Sequence, residues 1–168
     1  MVLPLLTRID HVGIACRDLD RAMGLYQATF GLEVVSIEVN EEQGVREAML
    51  AVGPVAGPAP GLAAEVSGLA SWGSDGGSEA RPGYVQLLEP LGPDTPVGKF
   101  IARRGEGLHH VGYGVADIGG ALASIAGTGI RLIDERPRHG SMGASIAFLH
   151  PGDLGGVLTE LVQFVTPA

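Results

Sequence analysis

The sequence predicts an α+β protein made of two tandem βαβββ modules, and three observations carry that expectation. Residues 11–19 read HVGIACRDL and residues 110–118 read HVGYGVADI, so His, Val, Gly, Asp and a final aliphatic residue recur in one register, 99 residues apart. Around each copy, short runs rich in Val and Ile alternate with one stretch of helical spacing. At 168 residues the chain fits one domain, long enough to bury roughly two thirds of the surface that its unfolded form exposes. We therefore read residues 1–168 as a single domain. Module one covers about 7–90, with an insertion at 53–82, and module two about 107–166. A fixed-period repeat makes His11 and His110 equivalent positions.

Taken in order, Arg8 to Ala15 reads as a strand, and Asp18 stands where its carboxylate would cap the first free N–H groups of a helix. Leu19, Ala22, Met23, Tyr26 and Phe30 follow at helical spacing, and Gly31 stops the run. Leu32 to Val39 is a second strand, Gln43-Gly44 a turn and Val45 to Val52 the returning strand. Residues 53–82 are mostly Gly, Ala, Pro and Ser and read as a long surface excursion, with a short helix near Leu62 to Leu69 as the alternative and Trp72 as a local anchor. Tyr84 to Leu88 resumes as a strand, and Thr95 to Arg104 is a connecting helix ending at Gly105. The second copy continues with a strand at 108–115 and an Asp117-capped helix from Ile118 to Ala126. Strands are then expected near Ile130 to Asp134, at Ser145 to His150 and at Val157 to Val165.

Composition narrows the partners. A formal charge of −8 argues against nucleic acid or an anionic membrane, both polyanions. No run approaches the roughly 20 apolar residues of a membrane-spanning helix. The single cysteine, Cys16, has no partner for an internal bridge and reads as a reduced thiol in a cytoplasmic protein.

The repeat also groups polar residues. Gln86 lies 75 residues after His11 and Glu160 lies 50 after His110; deleting most of the excursion brings Gln86 into register with Glu160. If the first and last strands of each module are neighbours, period-2 alternation lets all four side chains face one concavity. Two imidazoles, an amide oxygen and a carboxylate suit a divalent Co, Zn, Ni, Mn or Fe ion. Taken singly, each His is equally a hydrogen-bonded core residue and Gln86 a partner for buried backbone. Glu160 is harder to account for that way, because an ionised carboxylate within Val157-Leu158-Thr159-Glu160-Leu161 is costly to bury unpaired. Glu47 breaks the pseudo-symmetry, since its repeat position is Ile146. It either faces solvent beside Arg46 or faces the cup, where Glu47 and Glu160 would form a two-base pair.

These residues carry a resemblance. Ile9-Asp10-His11-Val12, the run from Asn40 to Glu47, Val85-Gln86 followed by Glu89-Pro90-Leu91, Gly107-Leu108-His109-His110 and Val157 to Leu161 resemble the vicinal oxygen chelate superfamily, and within it the methylmalonyl-CoA epimerases. The resemblance implies a curved eight-stranded sheet closed into a cup and a homodimer. It also implies metal ligation by His11, Gln86, His110 and Glu160, with Co2+ first among Zn2+, Mn2+ and Ni2+, and Glu47 with Glu160 as the acid and base. Its implied reaction is epimerisation of an acyl-CoA by 1,1-proton transfer through a metal-stabilised enolate. A glyoxalase I-like lyase and a metal-free ligand-binding module share the superfamily's motif and stand as alternatives. For the substrate, the stretch Arg138 to Gly143 is a candidate mouth, with Arg138, Ser141 and Gly143 as contacts; an ordinary hairpin turn is the other reading. His109, His139 and His150, read as having no repeat partner, are expected to be structural or solvent residues rather than ligands.

Overall fold

The repeat folds as two copies of one strand arrangement. The computed structural model describes residues 5–53 and 82–164. The excursion with its alternative helix, Trp72 and Val165 therefore lie outside the described residues, apart from Gly53 and Pro82 at the excursion's ends. Eight strands and three helices follow in the order β1 (Leu6–Ala15), α1 (Leu19–Phe30), β2 (Glu33–Asn40), β3 (Val45–Val52), β4 (Gly83–Pro90), α2 (Pro96–Arg104), β5 (Gly107–Val115), α3 (Ile118–Ala126), β6 (Arg138–His139), β7 (Ser145–Leu149) and β8 (Leu158–Gln163).

The helix boundaries follow from capping chemistry. Asp18 accepts from the Arg21 N–H and Asp117 from the Gly120 N–H, each satisfying a donor that the first turn leaves open. Gly31 ends α1 in the left-handed region, φ 67°, where its N–H reaches the Gln27 carbonyl. Thr95 caps α2, with Pro96 in its first turn.

All eight strands form one mixed sheet in the order β2-β3-β4-β1-β5-β8-β7-β6. First and last strands of each module are parallel neighbours, β1 with β4 and β5 with β8, and the modules meet through antiparallel β1 and β5. The sheet is curled into a half-barrel, because residues at its two ends touch. Met142 N–H donates to Glu38 on β2 (3.1 Å), and Gln43 Nε2 donates to the carbonyl of His139 on β6 (3.4 Å). The helices α1 and α3 cover the outer face. Leu19 and Met23 of α1 pack on Ala48, Leu50 and Leu87; Ile118, Ala121, Leu122 and Ile125 of α3 pack on Ala147, Leu149 and Leu161. Full burial of Leu19, Leu50 and Leu87 contributes about 1.5–3 kcal/mol for each side chain. The inner face carries the site, with Val97 and Ile101 of α2 packed beside it on Ala15, Val45 and Leu88.

One expected element is absent from its place. The stretch 130–134 has no ladder; it holds an isolated bridge between Leu132 and Leu149. Ile133 N–H and Asp134 N–H both donate to the Phe148 carbonyl, so the backbone turns there instead of running on. Its apolar pattern reflects Ile130 and Leu132 packing beside α3. The sixth strand is Arg138–His139, paired with β7. Next to it, Ser141–Gly143 is a 3-10 turn rather than a plain hairpin loop. β7 stops at Leu149 because His150 Nδ1 accepts from Gly152 N–H and caps a second 3-10 turn.

Candidate active site and metal centre

Strand register sets the site. One row across the sheet reads Gln86, Gly13, His110 and the next reads His11, Gly112, Glu160. Each row thus has two polar side chains with a glycine between them. A Cβ at Gly13 would overlap the His110 ring, and one at Gly112 would overlap the His11 ring. The two histidines therefore lean across each other's glycine toward the module boundary. Their rings meet edge to face with centroids 5.1 Å apart and Nε2 atoms 2.9 Å apart.

Glu160 completes the group. Its Oε2 is 2.8 Å from His11 Nε2 and 3.4 Å from His110 Nε2. The ligand atoms of His11, His110 and Glu160 lie within 4.8 Å of one another, and all three residues are buried. Burial pushes the Glu160 carboxyl up, but its contacts with the two histidines outweigh that and hold it below the usual carboxylate range. Burial likewise opposes charge on His11, yet Asp10 and Glu160 on either side raise it to about 9. The site is thus built to hold positive charge.

Gln86 and Glu47 flank this group. Glu47 is 1 % exposed, on the same face as Gln86, so the solvent-facing alternative does not apply; Arg46 instead pairs with Asp20 and Glu89. Gln86 Nε2 donates to Glu47 Oε2 (2.7 Å) and to Ser141 Oγ (2.9 Å), and Ser141 Oγ donates to Glu47 Oε1 (2.7 Å). Burial raises the Glu47 pKa, the Ser141 bond works against it, and the charges of Glu38 and Glu160 add to it. With its amide N–H groups committed, Gln86 keeps a buried Oε1 that has no hydrogen-bond partner. An orphaned amide oxygen, two imidazole nitrogens and a carboxylate fit the donor preferences of a divalent ion.

Two further residues belong here that the sequence reading passed over. A bulge in β1 between Ile9 and His11 turns Asp10 inward, where it is 1 % exposed and 3.2 Å from His11 Nδ1. Arg8 pairs with its other oxygen. The repeat position of Asp10 is His109, and His109 Nδ1 is 3.0 Å from His110 Nδ1. His109 therefore does have a repeat partner, contrary to expectation. Burial, aided by the His110 charge, lowers its pKa to about 4, so it is neutral and accepts from His110 Nδ1–H when His110 Nε2 is bare. The 99-residue offset applied to the preceding position would have found both.

The candidate mouth divides. Ser141 joins the Glu47 cluster. Arg138 pairs with Asp134 (2.9 Å), lies 6.0 Å from the Phe148 ring centroid and lines a cavity of about 190 Å³ next to His110. Gly143 is exposed at the end of the turn with φ 74°. Cys16 is buried, its thiol pushed up to about 11 by burial, and is unreactive.

Comparison with known proteins agrees with this geometry. A family model of the Glyoxalase/Bleomycin resistance protein/Dioxygenase superfamily matches residues 10–148. A variant of a Streptomyces coelicolor methylmalonyl-CoA epimerase, solved with 2-nitronate-propionyl-CoA, is 46% identical with a TM-score of 0.80, covering 96% of this chain and 99% of that one. The Mycobacterium tuberculosis methylmalonyl-CoA epimerase structure is 34% identical, with a TM-score of 0.77 and coverage of 99% and 93%. The mitochondrial methylmalonyl-CoA epimerase of Bos taurus is 30% identical over 94% of this chain and 75% of its own length.

Proposed function

The chain belongs to the Glyoxalase/Bleomycin resistance protein/Dioxygenase superfamily and, within it, to the methylmalonyl-CoA epimerases, and from that premise we infer that it interconverts (R)- and (S)-methylmalonyl-CoA. The observation that carries the mechanism is a pair of buried carboxylates, Glu47 and Glu160, whose proton affinities are driven in opposite directions. A 1,1-proton transfer needs one ionised and one protonated group, on opposite faces of the reacting carbon. Glu47 serves one face of C2 and Glu160 the other. Ser141 Oγ and Gln86 Nε2 each hold one oxygen of Glu47, so its carboxylate is aimed before substrate arrives. The C2–H bond is already weakened by the flanking thioester and carboxylate.

His11, Gln86, His110 and Glu160 would hold one divalent ion, with Asp10 and His109 fixing the two imidazoles from behind. When bound, that ion supplies Lewis-acid polarisation of the thioester oxygen. The mixed imidazole and oxygen donor set supports Co2+ as the resident ion over harder cations. A homodimer is proposed on the large apolar side chains left exposed on the sheet, Leu6, Ile9, Ile37 and Val39; a sedimentation mass of one 17.3 kDa chain would refute it. A cytoplasmic setting is proposed on the free buried thiol Cys16. No helix among the described residues is long and apolar enough to cross a membrane.

The direct test is to supply each pure epimer to purified protein whose Co2+ content has been measured. Racemisation of C2 is expected from both sides. No interconversion by fully loaded protein would overturn the assignment.

A further inference from the structure

We propose that Glu38 is a positioning residue for the reaction: its carboxylate fixes the turn that carries Ser141, and so aims the Ser141 hydroxyl at Glu47. This rests on the epimerase reading above and adds what holds Glu47's hydrogen-bond partner in place. β2 and β6 are the two edges of the sheet, and among the described residues no ladder joins them. The turn Ser141–Gly143 comes directly after β6, so its place over the site depends on contacts across that seam. Gln43 and Glu42 reach β6, at 3.4 Å from the His139 carbonyl and 3.6 Å from Arg138. Glu38 reaches the turn itself. In the β2–β3 register it stands directly opposite Glu47, which sets both side chains on the inner face. A carboxylate facing a carboxylate weakens a strand pair, so sheet stability does not account for Glu38. Its partners do. Glu38 Oε1 accepts from Ser36 Oγ (2.6 Å) and from Met142 N–H (3.1 Å), and Oε2 lies 3.4 Å from the same Met142 nitrogen.

The turn needs holding. Met142 lies at φ 54° and ψ 31°, and among the described residues it is the one non-glycine with a positive φ. A side chain in that region crowds its own backbone, so the conformation persists only where the surroundings over-determine it. Three sets of contacts do so here. Gly140 N–H donates to the Ala144 carbonyl (2.9 Å) and Ala144 N–H to the Ser141 carbonyl (3.1 Å), which closes the turn. The Met142 side chain packs, with Val35, against Met49, Ala51 and Tyr84. Glu38 takes the Met142 N–H. With that N–H fixed, the residue before it has little freedom, and its hydroxyl sits 2.7 Å from Glu47 Oε1 and 2.9 Å from Gln86 Nε2. Without the carboxylate, Met142 can relax toward an ordinary backbone and carry Ser141 off Glu47.

The test is a double-mutant cycle of Glu38 and Ser141, run on metal-loaded protein with methylmalonyl-CoA. Glu38→Ala should lower kcat roughly ten- to a hundredfold with KM and bound metal unchanged, because a misplacement of about 1 Å in a reacting group costs that much. Glu38→Gln should recover most of the loss, since one oxygen, Oε1, takes both bonds and an amide oxygen can stand in for it. In a Ser141→Ala background, Glu38→Ala should lower kcat no further. An unchanged kcat in E38A, a loss carried by KM, an equal loss in E38Q, or the same fold-loss with and without Ser141 would each overturn the proposal. Hydrogen exchange at the Met142 amide, followed by NMR, separates this from failure of the epimerase reading. Should wild type not interconvert the epimers, that reading falls, while faster Met142 exchange in E38A than in wild type and E38Q still upholds the hold on the turn. Equal exchange in all three overturns it.

Discussion

Glu47 is held by two donors and shielded from water, so its role is open to a substitution that keeps shape and removes the proton. Glu47→Gln retains the size of the side chain and lies outside the proposed ligand set. Turnover should fall by roughly 10²- to 10⁴-fold while bound metal stays at one per chain, measured by epimerisation rate beside elemental analysis. Ser141→Ala tests the same cluster more gently. The Ser141 bond lowers the Glu47 pKa against the raising effect of burial, so its loss moves that pKa up and shifts the acid limb of kcat/KM to higher pH. An unmoved limb would remove Ser141 from the proton-transfer apparatus. At this scale the sequence was informative where residues repeat. The offset pairs His11 with His110, and removing most of the excursion pairs Gln86 with Glu160; the structure brings both pairs to one face. Ser141 touches Glu47 from 94 residues away, with no counterpart in the first module, so its contact was unreadable before the sheet curled.

Strands position these side chains through register, and the two glycines between ligand positions are as much a part of the site as the ligands. Gly13→Ala would force the His110 ring away from His11, because the added methyl occupies the ring's place. Metal affinity should drop by roughly ten- to a hundredfold, the range seen when support for a ligand is disturbed, as read by competition with a chelating dye. Gly24→Ala on α1 makes a useful control, since an added Cβ there meets nothing within 4 Å. Capped helices and β-branched strands were legible because local chemistry decides them: Asp18, Gly31 and Asp117 stand where the structure uses them. The stretch 130–134 misled for the opposite reason. Its apolar residues pack sideways on α3, while the ladder position beside β7 went to the polar pair Arg138 and His139, which no propensity favours.

For the molecule as a whole, the buried cluster couples metal, protons and stability. In metal-free protein His11 has a folded pKa of about 9 against an ordinary 6.5. Its contribution to stability is therefore fully present below about pH 6.5 and is lost as pH rises through 9, so the Tm of metal-free protein should decline across that window. Ligation demands a bare Nε2, so metal binding near neutral pH should release about one proton, measured as a buffer-dependent heat in calorimetry. Bound metal should in turn raise the Tm in a concentration-dependent way, and a Tm indifferent to added Co2+ would mean that the cluster holds no ion. The central claim is that two carboxylates act on opposite faces of one carbon. Its most direct measurement is deuterium incorporation at C2 from heavy water with the Glu47→Gln protein, each epimer supplied separately. Glu160 alone should exchange the proton of one epimer without inverting it and leave the other untouched. Exchange of both epimers at equal rates, or inversion at the wild-type rate, would contradict the account.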